Sequence, residues 1–514
     1  MRLIGAKVPR VEDRRILTGR GHYVDDIHLQ GMVHASFLRS PMAHARITHI
    51  DVAEARRAPG VIAVFTGEDM QAMSKVIDVP MAMGVRVGAF YPLVTDKVRF
   101  VGDLVAMVVA ETRAQAEDAA ELIEVDYQPL AAVADYEAAL DPNGPPLFDE
   151  FPDNVVYTST HRSGDVDAAF AEADRVIPMT LRQHRIANVP METRGAVADF
   201  DPSSGELTYH AATQSPQGLR MALSNNLGLS MERTRVLAGD VGGAFGLKGN
   251  IGREDFCLVA ASRKLGLPIK WIEDRNEHLL ASGHAREEKI DLEVAVKHDG
   301  ELLGIKAHMT MDHGAYSGVP FAAAMFTGLV QMLLPGPYHL KGYAFDVTAV
   351  QTNKCVYVAY RGPWEMETWV RERMLDIAAH ELGMDPAELR RRNMMNGDPD
   401  DRLITGPSVA GISSRQSLDR VLEIIGYGDS GGSRTRRVRR AATSESGSPR
   451  SSRTRRDRPR CGWAVGCSGV TRPGSSSSPT GISSSSPRSP RTGRATRPRW
   501  RRSRPTRWAC RWIT

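Results

Sequence analysis

The apolar positions change their period along the chain, and those changes predict its elements. Val61-Ile62-Ala63-Val64-Phe65 and Leu104-Val105-Ala106-Met107-Val108-Val109-Ala110 are unbroken apolar runs of strand length. Such runs are the pattern of strands covered on both faces. Between Thr112, an N-cap residue type, and Ile123 the sequence is rich in Ala and Glu and predicts a helix. Glu124-Val125-Asp126-Tyr127 then alternates polar with apolar. Residues 1–135 therefore predict an α/β module. Turn formers cluster in Asp141-Pro142-Asn143-Gly144-Pro145-Pro146, which places a linker over 136–160.

From 161 to 428 the pattern is mixed α/β (α+β) with well-punctuated helices. Ser215-Pro216 offers an N-cap and a first-turn proline, and Gly228 a stop. A second helix runs from about Arg253 to Leu265 and is closed by Gly266 and Pro268. Met366, Val370, Met374, Ala378 and Leu382 form a stripe near the helical period that ends at Gly383. Asp385-Pro386 with Glu388 predicts a capping box for the next helix. Leu418 to Ile425 is again amphipathic, and no repeat of fixed period is present.

After Gly428 the pattern vanishes. Residues 429–514 contain 22 Arg, no Lys, three acidic residues and four Trp, and no Leu, Phe, Met or Tyr. The chain as a whole is 42% hydrophobic, 25% charged and +5, which looks ordinary for a globular protein. That average joins an acidic body to a strongly basic tail. The tail is too poor in core-building residues to offset its ordering entropy, so disorder is expected over 429–514. One reading of it is a basic arm for nucleic acid or anionic surfaces. The other, which we favour, is an out-of-frame translation beginning near codon 428, because the change is abrupt and natural basic tails mix Lys with Arg.

Cys257 and Cys355 lie in the body and Cys461, Cys467 and Cys510 in the tail, with no CxxC pair. That spacing argues against a zinc or iron–sulfur site and against a disulfide framework. The N-terminus runs straight into charged residues without an apolar signal segment. Phe321 to Leu334, the most apolar stretch, is too short and too interrupted to span a bilayer. A cytoplasmic protein is expected.

The segment with the clearest chemical signal runs from Arg233 to Gly249. It predicts a short strand and then a loop with glycines at 239, 242, 243, 246 and 249 before a helix. Glycines allow close approach of backbone N–H groups to a ligand and left-handed turns, so the loop is a candidate cofactor or anion cradle. Its spacing is neither GxGxxG nor that of a P-loop. Gln214 stands directly before the Ser215-Pro216 helix start, where an amide donor would lie beside free helical N–H groups. His184-Arg185 and Met191-Glu192-Thr193-Arg194-Gly195 place charge beside apolar residues, a pattern that usually means salt-bridged structure. Tyr360-Arg361-Gly362-Pro363-Trp364 predicts a sharp turn before a helix, able to wrap a ligand or merely to end a strand.

Eight motifs in order carry a resemblance. They are Pro9-Arg10-Val11-Glu12-Asp13, Gly19-Arg20-Gly21, Tyr23-Val24-Asp25-Asp26, Phe100-Val101-Gly102-Asp103, Thr213-Gln214, Gly242-Gly243-Ala244-Phe245-Gly246-Leu247-Lys248, Asp274-Arg275 and Ala359-Tyr360-Arg361-Gly362. Together they resemble the large, molybdenum-binding subunit of the xanthine dehydrogenase, aldehyde oxidase and carbon monoxide dehydrogenase family over about residues 5–428. The resemblance implies an N-terminal α/β hammerhead domain followed by the first part of a molybdopterin-binding domain. It implies a molybdenum–molybdopterin cofactor, in the cytosine dinucleotide form, held through its pterin dithiolene with no protein side chain on the metal. By motif match Gln214 would hydrogen-bond a molybdenum oxygen. Gly243, Ala244, Phe245 and Gly246 would lie at metal and pterin, and Arg361 in the active-site loop. The implied activity is oxidative hydroxylation of an aldehyde or N-heterocycle with water as oxygen source. Electrons would leave through a separate iron–sulfur small subunit and an FAD-binding medium subunit.

Three departures qualify what is implied. Carbon monoxide dehydrogenases carry Cys-Ser-Phe-Arg after the Tyr-Arg pair, whereas Gly362-Pro363-Trp364-Glu365 follows here, so the copper-binding thiol is missing. Xanthine-type enzymes have a Glu after the loop lysine, where this chain has Gly249. The family's catalytic Glu, in a Gly-Glu motif near the end of the domain, has no counterpart in 429–514. General-base catalysis typically supplies a factor of about 10²–10⁴, so this chain is expected to be truncated and inactive by itself.

Overall fold

The computed structural model describes residues 3–80, 82–362 and 365–428, all within one compact unit. The tail expected to be disordered, with its three cysteines, lies outside the described residues, as do Pro363 and Trp364.

Leu104–Ala110 is a strand buried along its whole length, as its unbroken apolar run predicts. It pairs antiparallel with Val33–Arg39 on one side and Val61–Phe65 on the other. Val61–Phe65 departs from expectation: it forms the edge of the sheet, and Ile62 is 39% exposed. Its apolar run reflects β-propensity at an edge as much as burial. Helix Arg113–Ala120 opens on a reciprocal capping box, in which Gln115 N–H donates to Thr112 Oγ1 and Thr112 N–H to Gln115 Oε1. Ala116, Ala119 and Ala120 are its buried residues, and two alanines, Ala106 and Ala110, stand on the strand side of the same core cluster, so small side chains let the two elements approach closely.

The sheet does not stop at the first region. Val33–Arg39 also pairs in parallel with Ile269–Ile272, which continues through Gly195–Asp201 and Glu206–Ala211 to Thr234–Leu237. Seven strands from both ends of the body thus form one sheet. A second sheet of five strands runs in the order Val155–Gly164, Gly342–Val350, Leu302–Asp312, Glu288–Val296 and Arg175–Gln183. The stretch read as a linker, 136–160, carries a 3-10 turn at Ala138–Leu140 and the start of Val155–Gly164.

Helices fall where the punctuation puts them. Pro216–Leu227 and Arg253–Leu265 both end on left-handed glycines, Gly228 and Gly266. Glu365–Leu382 buries Met366, Val370, Met374 and Ala378. Asp385 caps Pro386–Asn393 by accepting from the N–H groups of Ala387 and Glu388. Glu388 does not return the bond that a capping box requires; its carboxylate lies 3.8 Å from Arg392 instead. Ser414–Ile424 is a helix with no buried residue. Among the described residues no helix is long and apolar enough to cross a membrane.

Candidate functional site

The glycine-rich loop leaves strand Thr234–Leu237 and is tied down at its start. Arg15 donates to Asp240 from Nη1 and Nη2 at 2.5 and 2.6 Å, and His22 N–H donates to the same carboxylate at 2.7 Å. These partners hold the Asp240 carboxyl well below the usual carboxylate range. Further on, Gly242 N–H and Lys248 Nζ both donate to Glu192 Oε2, at 2.8 and 2.7 Å. Lys248 is fully buried; burial pushes its pKa down, and Glu192 works against that shift. It is a structural cation.

Between those anchors the backbone is forced into left-handed turns. Gly243, Phe245 and Gly246 have φ of 93°, 53° and 104°. A Cβ on Gly246 would stand 2.4 Å from the carbonyl oxygen of Ala359, so only glycine fits there. Phe245 is not glycine, and positive φ in an aromatic residue is strain that the surroundings must hold. They do so from several sides. Arg361 N–H donates to Phe245 O at 2.6 Å, Asn188 Nδ2 donates to it at 3.0 Å, and the Phe245 ring stacks on Tyr360 at 6.3 Å between centroids.

Gln214 closes the other side. Its Oε1 accepts from Gly246 N–H at 3.1 Å, while its backbone N–H donates to Lys248 O at 2.9 Å. With Oε1 committed, the exposed Nε2 of Gln214 is the group left to donate. Among the described residues the N–H groups of Gly243, Ala244 and Phe245 meet no protein acceptor. A run of free N–H groups in such turns favours an anionic or strongly accepting ligand.

The structure therefore brings Gln214, Phe245 and Gly246 into one wall, with Gly243 and buried Ala244 leading into it. Arg361 reaches that wall through its backbone, and its side chain is exposed. His184-Arg185 and the Met191–Gly195 cluster are largely structural, since Arg185 pairs with Glu287 and Asp312, and Arg194 with Glu254 and Glu273. Two residues that touch the wall, Asn188 and Glu192, and one behind it, Arg275, are not legible in the sequence as site residues. Asn188 stands between apolar residues without a motif, Glu192 sits in a charged cluster of the kind that is usually structural, and Arg275 belongs to a two-residue motif. Each keeps a buried polar atom without a partner: Asn188 Oδ1, Glu192 Oε1 and Arg275 Nη1. Among the described residues no group of three or more His, Cys, Asp or Glu is placed to hold a metal ion.

Two family models match the chain. The aldehyde oxidase and xanthine dehydrogenase a/b hammerhead domain matches residues 18–131, and the molybdopterin cofactor-binding domain matches 147–394. The nicotine 6-hydroxylase large subunit of Paenarthrobacter nicotinovorans is 38% identical over 400 residues, which is 77% of this chain and 49% of that one. The carbon monoxide dehydrogenase large chain of Afipia carboxidovorans is 36% identical, over 76% of this chain and 50% of the other. The crystal structure of quinoline 2-oxidoreductase from Pseudomonas putida 86 superposes with a TM-score of 0.80 at 35% identity, over 85% of this chain and 56% of that one. The chain spans about half the length of these curated relatives.

Proposed function

The chain belongs to the molybdenum-binding large subunits of the xanthine dehydrogenase, aldehyde oxidase and carbon monoxide dehydrogenase family, and from that premise we propose that its glycine-rich wall holds a molybdenum–pterin cofactor for oxidative hydroxylation of an aldehyde or N-heterocycle. The observation that carries this is the juxtaposition of the exposed Gln214 Nε2 with the free N–H groups of Gly243, Ala244 and Phe245. The cofactor's oxygens and phosphates are acceptors, and this wall turns free N–H donors and an aromatic edge toward them. The unpartnered Glu192 Oε1 is a complementary acceptor at the same loop.

When bound, the cofactor supplies the two-electron oxidation and delivers an oxygen atom derived from water to the substrate carbon. This chain's part is placement. Gln214 Nε2 would donate to an oxygen of the bound group, because Gly246 N–H fixes which end of the amide faces outward. Phe245 presents its ring beside that point, and the Arg361 N–H fixes the Phe245 carbonyl behind it. The finer cofactor form, the cytosine dinucleotide, is part of this proposal. So are the iron–sulfur and FAD-binding partner subunits and a cytoplasmic location; that relatives are named as large subunits or chains of larger assemblies supports the partners. The exposed Arg361 side chain belongs to the proposal too.

Carbon monoxide oxidation is a weaker reading, because Gly362 follows Arg361 where a thiol would be needed, and the match to the carbon monoxide enzyme is no better than that to the nicotine enzyme. The test is to purify the full chain from molybdenum-replete cells and measure molybdenum, oxidised pterin fluorescence and released CMP. Cofactor in the wild type, lost in Gly246→Val, is the expected result. A folded wild-type chain free of all three overturns the proposal.

A further inference from the structure

We propose that Asn188 is a positioning residue that clamps together the two loops forming the cofactor wall. Its side-chain amide spends both hydrogens at one point, donating to Phe245 O at 3.0 Å and to Ala359 O at 2.9 Å. Those carbonyls belong to different loops, one carrying the glycine-rich turn and the other leading into Tyr360 and Arg361. Turning the amide over would set its oxygen against two carbonyl oxygens, so its orientation is fixed by chemistry. The consequence is visible: Oδ1 is left buried and without a partner, in a residue 1% exposed. A packed aliphatic side chain would avoid that cost, and it persists because only an amide places two donors there.

The clamp acts where strain is stored. Phe245 sits at positive φ, and its carbonyl is the meeting point of the Asn188 amide and the Arg361 N–H. One residue further, Gly246 N–H orients Gln214. Losing the clamp would free both the aromatic ring and the amide that faces the cofactor. Asn188 is itself anchored from behind. Its backbone carbonyl accepts from His278 Nε2, and His278 Nδ1 bonds Glu273 Oε2 at 3.0 Å. Glu273 pairs with Arg194, Arg194 with Glu254, and Glu254 with Arg39 on the strand Val33–Arg39. The central sheet thus reaches the site through one buried polar chain that ends on Asn188.

This inference rests on the reading of the loop as a cofactor wall, and its test separates the two. Hydrogen exchange is followed by mass spectrometry on the full chain without cofactor. In Asn188→Ala, segments 243–249 and 359–362 should exchange at least tenfold faster while 104–110 keeps its protection. Asn188→Ser, which restores one donor, should fall between, and it carries the test should the alanine variant not fold. Loop exchange within twofold of wild type, or loops and 104–110 rising together, overturns the clamp. Molybdenum and pterin content, measured in parallel, should fall with the clamp; cofactor retained at the wild-type level despite freed loops overturns the positioning role. A wild type lacking cofactor, with the exchange pattern intact, defeats the proposed function and leaves the clamp standing.

Discussion

Two neighbouring regions of this molecule are built on opposite principles. Behind the site, Arg39, Glu254, Arg194 and Glu273 form a charged cluster almost wholly removed from water, each group paired by side-chain contacts. At the candidate site, the loop from 242 to 249 has glycine or alanine at five of its eight positions, and it is held mainly through its backbone groups. The difference shows where rigidity is kept. On the proposed function the wall must leave room for a ligand and cannot fill itself with side chains; its order is supplied one layer back, through Asn188 and Glu192. Functional geometry at strained backbone is over-determined by its support.

Opening the charged cluster should have the largest effect. Arg194→Ala leaves Glu254 and Glu273 facing each other without one of their cations, and removing one partner of a buried pair typically costs about 3–5 kcal/mol. Chemical denaturation should show a loss of that size. A loss below about 1 kcal/mol, the range of exposed pairs, would mean that the cluster does not support the site.

The local elements were legible in the sequence because their causes are local. Thr112, Gly228 and Gly266 each act within one helical turn, so residue type at the right place was enough; the reply of Gln115 to Thr112 was added by the structure. The sheet was harder. Nothing near Val33–Arg39 announces that its parallel partner is Ile269–Ile272, or that Val61–Phe65 is an edge. For the site, Gln214 and the glycine-rich loop were found, through motif order. That they touch, across 32 positions, is a fact of the fold. Asn188 was invisible because its partners lie 57 and 171 positions away, and a lone Asn between apolar residues looks like any turn residue.

Two buried glutamates sharpen the contrast. Burial opposes ionisation of both, but Arg194 and Arg39 outweigh it at Glu254 and hold that carboxyl below its usual range. Glu288 has a hydrogen bond from Tyr357 at 3.2 Å and, among the described residues, no such pair of guanidiniums bonded to it, and burial raises its pKa to about 7. It binds a proton more tightly folded than unfolded. Stability from this group is therefore present below the ordinary carboxylate pKa and lost as pH rises from about 4.5 to about 7. The ceiling is roughly 3 kcal/mol at about 1.4 kcal/mol per unit. Glu288→Gln should flatten that part of the pH–stability curve, leaving the smaller, similar contribution of Asp255, whose pKa burial raises to about 6. An unchanged slope would show that Glu288 ionises normally.

Gly246→Val tests the loop side of the comparison. Positive φ and the nearby Ala359 oxygen make the substitution strained, at about 1–3 kcal/mol. The loss should appear as faster exchange at 359–362, with the charged cluster's contribution to denaturation unchanged. A variant as unstable as Arg194→Ala would erase the distinction between the two regions.

The smallest effect belongs to the loop's outer tether. Arg15 and Asp240 make a two-pronged contact, but at the surface, where water and salt screen the attraction and ordering a long side chain offsets much of it. Arg15→Ala should accordingly leave the melting temperature unchanged. What it should alter is local: Asp240 also accepts from His22 N–H, so freeing it loosens the point where strand Thr234–Leu237 becomes the loop. Exchange at 238–242 should rise a few-fold at low ionic strength, and the wild type should approach the variant's rate as salt is added. If the difference survives high salt, the tether works by packing and shape, and the outer end of the loop is supported in the same manner as its inner face.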